Sequence, residues 1–452
     1  LSEVVLKSPQ TSGASAATVT ARIESLSSDG RGVARIDGMA VFVVGALPGE
    51  LVTLRYTSNK KNFAEGDVGE ILEASPDRVV PRCQHFGLCG GCSLQHLRAE
   101  AQIVEKQRGL MDGLKHIGKV EPESILAPLT NDHWGYRYKA RLGVKFVRKK
   151  ERLMIGFREK ESSLLADLSR CEVLHPAVGE RFEALRELIL GMSIYQQMPQ
   201  IEVSIGDSVI GLVFRNLAPF SEADLDALRR FGETHGMHIF TQSKGPDSVE
   251  RIYPLEGPAL SYELPDFNVT LEFRPTDFTQ VNPGINRRLV THAIDLLAPQ
   301  PEDRVLDLFC GIGNFTLALA RRSAQVVGVE GEKGLVERAR VNAVRNAISN
   351  VEYHMADLFG EIEGTSWARQ QYDRMLIDPP RSGAYEIVQK MKLFKPKRIV
   401  YVSCNPATLA RDAGELVHNQ GYRLRSAGVM DMFPHTTHVE SIAVFEAKGK
   451  RT

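Results

Sequence analysis

Cys404 and Glu440 stand where side chains do chemistry instead of filling a core. Cys404 ends an apolar strand-like run, Val402-Ser403-Cys404-Asn405-Pro406, and a helix opens at about Ala407. A thiol at a strand's carboxyl end, beside a helix N-terminus, gains thiolate character from the helix dipole. That placement matters because a free thiol is only a few per cent ionised at neutral pH. A cysteine acting as a small apolar filler more often lies in mid-strand, so Cys404 reads as a nucleophile. Glu440 stands in His435-Thr-Thr-His438-Val439-Glu440-Ser441, just before the apolar run Ile-Ala-Val-Phe, again at a strand end. Two histidines and a glutamate could suggest a metal, but nothing beside them supplies a fourth ligand.

A cofactor edge accompanies these two residues. The strand Val305-Leu-Asp307-Leu-Phe309-Cys310 runs into Gly311-Ile-Gly313-Asn314-Phe315. Glycines after a first strand let backbone approach a ligand closely, and Glu330, ending the next strand, can hold ribose hydroxyls. A dinucleotide fingerprint wants a third glycine where this chain has Thr316. The loop therefore suits S-adenosylmethionine better than NAD, with NAD and a ligand-free core as the alternatives. Downstream, Ile377-Asp378-Pro379-Pro380-Arg381-Ser382-Gly383 ends a strand with two prolines that stiffen the loop and fix Asp378. An Asp-Pro-Pro-aromatic motif serves methylation of base amino groups, but here Arg381 takes the aromatic position. Together these pieces describe C5 methylation of a pyrimidine. Uracil C5 is a poor nucleophile; a thiolate adding to C6 creates an enolate at C5 that attacks a sulfonium methyl. A base must then take the C5 proton so that the thiolate can leave.

The elements that position these residues fall into three parts. From about 276, apolar strands (VLDLFC, QVVGVE, VEYHMAD, RMLIDPP, RIVYVSC) alternate with helical stretches, which predicts a parallel, doubly wound α/β sheet. Runs near 422–430 and 439–446 are expected to form an antiparallel edge. Between Thr18 and Ala74, short β-like runs are separated by Asp29-Gly30, Asp37-Gly38 and Pro48-Gly49. They predict a small barrel, either of the oligonucleotide-binding type or SH3-like without a ligand. A helix follows on Leu97, Ala101, Val104, Met111, Leu114 and Ile117, and residues 131–275 mix strands with a helix near 176–191. The expected organisation is a disordered tail over 1–15, a barrel over 16–76, a central α+β domain over 77–275 and a catalytic domain over 276–452.

Composition agrees with this reading. A chain of 452 residues, 43% apolar and 25% charged, is long enough for several cores and is neither fibrous nor disordered. No apolar run approaches the roughly 18–20 residues of a membrane span. The first twenty residues carry no visible secretory signal, so a cytoplasmic protein is expected. Lys and Arg number 56 against 56 Asp and Glu, so nucleic-acid binding would need a local patch.

The motifs Phe278-Thr-Gln280-Val-Asn282, DLFCGIGNF, IDPPRSG, SCNPATLARD and HVES resemble those of the RNA 5-methyluridine methyltransferases. The likeness covers nearly the whole chain. It is greatest to the subgroup that methylates 23S ribosomal RNA and carries an N-terminal TRAM barrel and a [4Fe-4S] cluster. The resemblance implies a Rossmann-like, S-adenosylmethionine-dependent catalytic domain with Cys404 as nucleophile and Glu440 as base. It also implies that Gln280, Phe309, Asn314, Glu330, Asp357 and Asp378 line the cofactor site. The implied substrate is a uridine in 23S ribosomal RNA, met before the subunit is fully assembled by a protein acting as a monomer. The alternatives are the same reaction on transfer RNA or another ribosomal site, or an iron–sulfur RNA-binding protein without activity.

The cysteines match that subgroup too. Cys83-x5-Cys89-x2-Cys92 with distant Cys171 offers four thiolates, enough for a cubane cluster. Zinc is the alternative, although structural zinc sites usually show two close pairs and here there is one. Residues 133–160 supply a basic strip with interleaved aromatics, including Arg137, Lys139, Lys149, Lys150 and Arg152. Such a strip can neutralise phosphates, and Phe278 can stack on an extruded base, unless these side chains form an ordinary solvated face.

Overall fold

The computed structural model describes residues 18–449. The tail expected over 1–15 lies outside the described residues. One compact unit reaches to Val80 and includes His96–Arg98; the other comprises Pro81–Gln95 and the chain from Ala99 onward.

The first unit is a six-stranded sheet of β1 (Val19–Arg22), β2 (Ser25–Leu26), β3 (Gly32–Ile36), β4 (Met39–Val44), β5 (Leu51–Asn59) and β6 (Phe63–Glu73). Its order is β1-β5-β6-β4-β3-β2, antiparallel except where β4 runs parallel to β6. Alternation along β3 to β6 turns Ala34, Val41, Val43, Val52, Leu54 and Ala64 into one small core. Buried Glu50 fastens the unit's last turn: it accepts from Leu47 N–H at 2.8 Å and pairs with Arg78 at 2.5 Å.

In the second unit, α1 (Ala99–Gly113) follows the cysteine loop and β7 (Ser124–Ile125) follows α1. A central sheet then forms from β8 (Lys139–Val147), β9 (Arg152–Gly156), β10 (Gln200–Ile205), β11 (Ile210–Arg215), β12 (His238–Gln242) and β13 (Val249–Tyr253). Its order is β13-β12-β11-β10-β8-β9. Helices α2 (Pro176–Gly179), α3 (Phe182–Leu190) and α4 (Glu222–His235) accompany it, and a hairpin of β14 (Leu260–Leu264) and β15 (Val269–Phe273) leads onward.

The last sheet holds Cys404 and Glu440 at its strand ends. Its strands are β16 (Arg304–Leu308), β17 (Gln325–Glu330), β18 (Val351–Met355), β19 (Arg374–Ile377), β20 (Arg398–Ser403), β21 (Tyr422–Met430) and β22 (Glu440–Ala447). Helices α5 (Pro283–Leu297), α6 (Thr316–Ala320), α7 (Lys333–Arg345), α8 (Tyr385–Gln389), α9 (Met391–Phe394) and α10 (Pro406–His418) alternate with them. The order β18-β17-β16-β19-β20-β22-β21-β7 has five parallel strands, then β22 antiparallel to both β20 and β21. The order in which strands are added reverses about β16, which lies between β17 and β19, and ligands bind at such switch points. The expected antiparallel edge is therefore present, with β22 inserted beside β20 instead of at the rim.

Helix α1 was grouped by sequence with the central domain, yet its apolar face joins the core of this last sheet. Ile103 and Leu110, with Leu114 just past the helix end, pack in one cluster with Leu409, Ala410 and Val429. Glycine permits the approach: a Cβ at Gly118 would lie 2.4 Å from the Ala410 carbonyl oxygen. β7 likewise pairs with β21 at the sheet's end. No helix among the described residues is long and apolar enough to cross a membrane.

Candidate active site

The cofactor edge is built by the turn after β16. Phe309 and Gly311 take left-handed backbone, φ 63° and 55°, and Gly313 follows at 96°. A Cβ at Gly311 would meet nothing within 4 Å, so this backbone faces open space where a ligand can approach. Glu330 holds the turn in place. One carboxylate oxygen accepts from Gly311 N–H at 3.1 Å, and the other from Gly331 and Glu332 N–H at 2.8 and 3.1 Å. Asn314 exchanges paired amide hydrogen bonds with Asn286 at 2.9 and 3.1 Å and accepts from Tyr262 Oη at 2.9 Å. Gln280 lines a small cavity with Tyr262 and Asn286, beside the same network. Asp357 accepts from Phe359 N–H at 3.0 Å, and the Phe359 ring lies 5.8 Å from that of Phe309. Asp307 is fully buried beneath the turn, bonded to Thr316 Oγ1 at 2.5 Å, with its Oδ1 unpartnered. Burial pushes its carboxyl up to about 8. An open glycine cradle, an acid at the second strand's end and two aromatic faces fit an adenosyl sulfonium donor.

Cys404 and Glu440 are brought together by strand pairing. Ser403 is registered against Ser441 in the β20–β22 ladder, so the next pair outward is Cys404 and Glu440. Ser441 Oγ donates to Ser403 O at 2.9 Å and fastens that end of the ladder. Asn405 caps α10 by accepting from Ala407 N–H at 3.1 Å. Its amide also donates to Arg381 O at 2.9 Å, which ties the Asp378–Gly383 loop to the same helix end. Asp412 secures the loop's far side, accepting from Ala384 N–H at 2.9 Å and Tyr401 Oη at 2.6 Å.

The electrostatics overturn one expectation. Helix placement was expected to favour the Cys404 thiolate, but burial, with Glu440 and Asp378 adding negative charge, pushes the thiol up to about 11. Burial also raises Asp378 to about 7 and holds Glu440 well above the usual carboxylate range, with Asp378 adding to the effect. Cys404, Asp378 and Glu440 thus crowd three acidic groups together. Arg381 adds an opposing, favourable charge on Cys404, and its guanidinium lies 3.3 Å from His438 Nδ1. A cationic ligand would relieve this crowding.

Cys83, Cys89, Cys92 and Cys171 line one cavity with Phe157, Leu168 and Val173. Cys89 docks onto the central domain through Gly90 N–H to Arg158 O at 2.8 Å. Burial pushes Cys171 up to about 11 and Cys92 to about 12. Among the described residues, no group of three or more His, Cys, Asp or Glu is gathered as the shell of a metal ion. The donor set itself suits iron: four thiols of one type, and Gly91 N–H donating to Cys89 Sγ at 3.4 Å, in a cavity that His85, Gln95, Arg170 and Glu172 also line.

The basic strip divides. Lys149 and Lys150 are exposed on the turn between β8 and β9. Lys139 instead turns inward, donating to Pro275 O and lying 3.7 Å from Glu202. Arg152 is paired with Asp167, and Arg137 Nε donates to Lys139 O at 3.1 Å. Phe278 is 71% exposed. Sequence reasoning missed Phe359, which only its position two after Asp357 hinted at. It also missed Tyr262 and Asn286, whose roles depend on contacts across the fold with no local signature.

The family description "tRNA (Uracil-5-)-methyltransferase" matches residues 259–448, and that of the TRAM domain matches residues 16–68. The chain is 55% identical to a 23S rRNA (uracil(1939)-C(5))-methyltransferase of Methylococcus capsulatus, over 95% of this chain and 97% of the relative. It is 54% identical to the protein of the same name from Alkalilimnicola ehrlichii, over 95% of this chain and 96% of that one. Among solved structures it is similar to the Pyrococcus abyssi tRNA (uracil-54, C5)-methyltransferase in complex with S-adenosyl-L-homocysteine. That likeness has a TM-score of 0.73 at 26% identity, covering 94% of this chain and 100% of the other.

Proposed function

Because this chain belongs to the RNA uracil-C5 methyltransferase family, we propose that it methylates C5 of one uridine in 23S ribosomal RNA through a covalent bond between Cys404 and uracil C6. The observation that carries this reading is the β20–β22 register, which sets a thiol opposite a buried carboxyl at the sheet's carboxyl edge. Glu330, Asn314, Phe309, Gln280, Asp357 and Asp378 would hold the donor. When bound, S-adenosylmethionine supplies an electrophilic methyl and a positive charge beside these acidic groups.

Cys404 gives up its thiol proton to water, Sγ bonds to C6, and the C5–C6 electron pair moves to C5 and O4. C5, now nucleophilic, takes the methyl, whose bond to the donor's sulfur breaks and leaves a neutral thioether. Glu440 then removes the C5 proton, the C6–S bond breaks, and the double bond returns. A carboxyl whose pKa is raised by burial is, once ionised, a stronger base than an exposed one, which suits it to a carbon acid. A uridine within a stem hides C6, so the base must be extruded, and Phe278 offers a stacking face.

Cys83, Cys89, Cys92 and Cys171 would hold a [4Fe-4S] cluster that keeps their loop folded and helps orient RNA, without a redox step. The TRAM unit and the exposed lysines bind the ribosomal RNA, and the protein works in the cytoplasm as a monomer. The test is transfer of labelled methyl to unmodified 23S ribosomal RNA and to transfer RNA. Label in 5-methyluridine of the former supports the reading; label confined to transfer RNA contradicts it.

A further inference from the structure

A polar knot joins the four-cysteine loop to the segment that leads into Glu440. Ser93 and Leu94, directly after Cys92, both donate their backbone N–H to His435 O at 2.9 Å. Gln102 on α1 lies between the two segments. Its Nε2 donates to Leu94 O at 3.0 Å and lies 3.2 Å from His435 Nδ1, while its Oε1 accepts from His435 N–H at 2.8 Å. Lys106, one turn further on, donates to Asp431 Oδ1 at 2.7 Å and to Phe433 O at 2.9 Å. Both side chains are buried.

A second arm reaches the same histidine. Its ring stacks on Trp134 at 4.0 Å, and the Arg82 guanidinium lies 5.1 Å from the Trp134 ring. Arg82 pairs with Glu172 at 3.1 Å, and these two residues adjoin Cys83 and Cys171. Tyr136 Oη adds a hydrogen bond to Pro434 O at 3.0 Å. His435 itself is held at φ 66°, a left-handed conformation that a non-glycine residue keeps only when its surroundings impose it.

Apolar residues of the same volume would pack α1 as well and would cost less desolvation. What Gln102 and Lys106 add is direction, because their bonds fix both ends of the 431–435 segment. Glu440 begins β22 only five residues beyond His435. We propose that Gln102, backed by Lys106, is a positioning residue of the reaction: it locks segment 431–438 to the four-cysteine loop, so that order in that loop sets where Glu440 stands. The inference rests on the reading of Glu440 as the base.

The test is Gln102→Met, which keeps the volume and removes every bond, with Glu440→Gln as control. Donor binding and the donor KM should stay at wild-type values while kcat falls by up to about a hundredfold. Because the base acts after methyl transfer, methylated RNA should accumulate bonded to Cys404, as a slow band on a denaturing gel. Hydrogen exchange over 431–438 should quicken. Lys106→Met should give the same band if Gln102→Met fails to bind donor. In the unaltered protein, removing bound metal with a chelator should expose the amides of Ser93, Leu94 and His435 together. A Gln102→Met enzyme with wild-type kcat and no band, or amides at 93–94 that open while 435 stays protected, overturns the proposal. No band from Glu440→Gln either would instead mean that Glu440 is not the base.

Discussion

Asp378→Asn removes a carboxyl that burial raises from 3.8 to about 7. The unfolded chain gives up that proton near 3.8, whereas the folded one keeps it until about 7. Between these values the folded state binds more protons, so wild-type stability falls as pH rises through the window and stays low above it. A shift of roughly three units corresponds to at most ~4 kcal/mol. Asp378 is only half-buried, so water at the pocket mouth reduces the expected difference to about 1–3 kcal/mol. Asparagine keeps the shape and does not titrate. The variant should therefore match wild type near pH 4 and exceed it by about 1–3 kcal/mol near pH 8. The change also removes one of the negative charges on Cys404 and Glu440, so the thiol should alkylate at lower pH than in wild type. Urea midpoints across this pH range, with mass-spectrometric alkylation of Cys404, measure both effects. A stability difference that does not change with pH would refute the reasoning.

Other perturbations read separate parts of the site. Glu330→Ala frees three backbone N–H groups of the cofactor turn and should weaken S-adenosylhomocysteine binding by about ten- to a hundredfold in calorimetry, the worth of one or two charged hydrogen bonds. Anaerobically purified protein should be brown with about four irons, and Cys171→Ser should lose the colour and lower RNA affinity more than donor affinity. Lys149→Gln with Lys150→Gln should flatten the salt dependence of RNA binding by about two phosphate contacts and leave donor affinity unchanged; Arg152 is omitted because Asp167 already holds it.

The sequence made much of this fold and site legible, for physical reasons that also explain its gaps. Buried parallel strands are continuous apolar runs, so β16, β17, β19 and β20 stand out, and Glu330, Asp378 and Cys404 lie at or just past the ends of the last three. Glycines at 311 and 313 mark a turn that only a flexible backbone makes. The placement of α1 was not legible, since its apolar face looks the same whichever sheet it covers. Nor was the inward turn of Lys139, which depends on Pro275 and Glu202 from distant segments. The Cys404 thiol was misjudged because a helix terminus is visible in sequence whereas Glu440 and Asp378 closing around it are not. Gln102 gave no signal and His435 was weighed only as a metal ligand, because folding alone brings the two together across 333 positions.

The account turns on Cys404 and Glu440 acting in succession on one uracil, and Glu440→Gln tests this most directly. The variant is incubated with unmodified 23S ribosomal RNA and methyl-labelled donor, then resolved on a denaturing gel. The account predicts a labelled protein–RNA band that requires donor and disappears when Cys404→Ala is added. Normal turnover by Glu440→Gln, or label found only in free RNA, would contradict it.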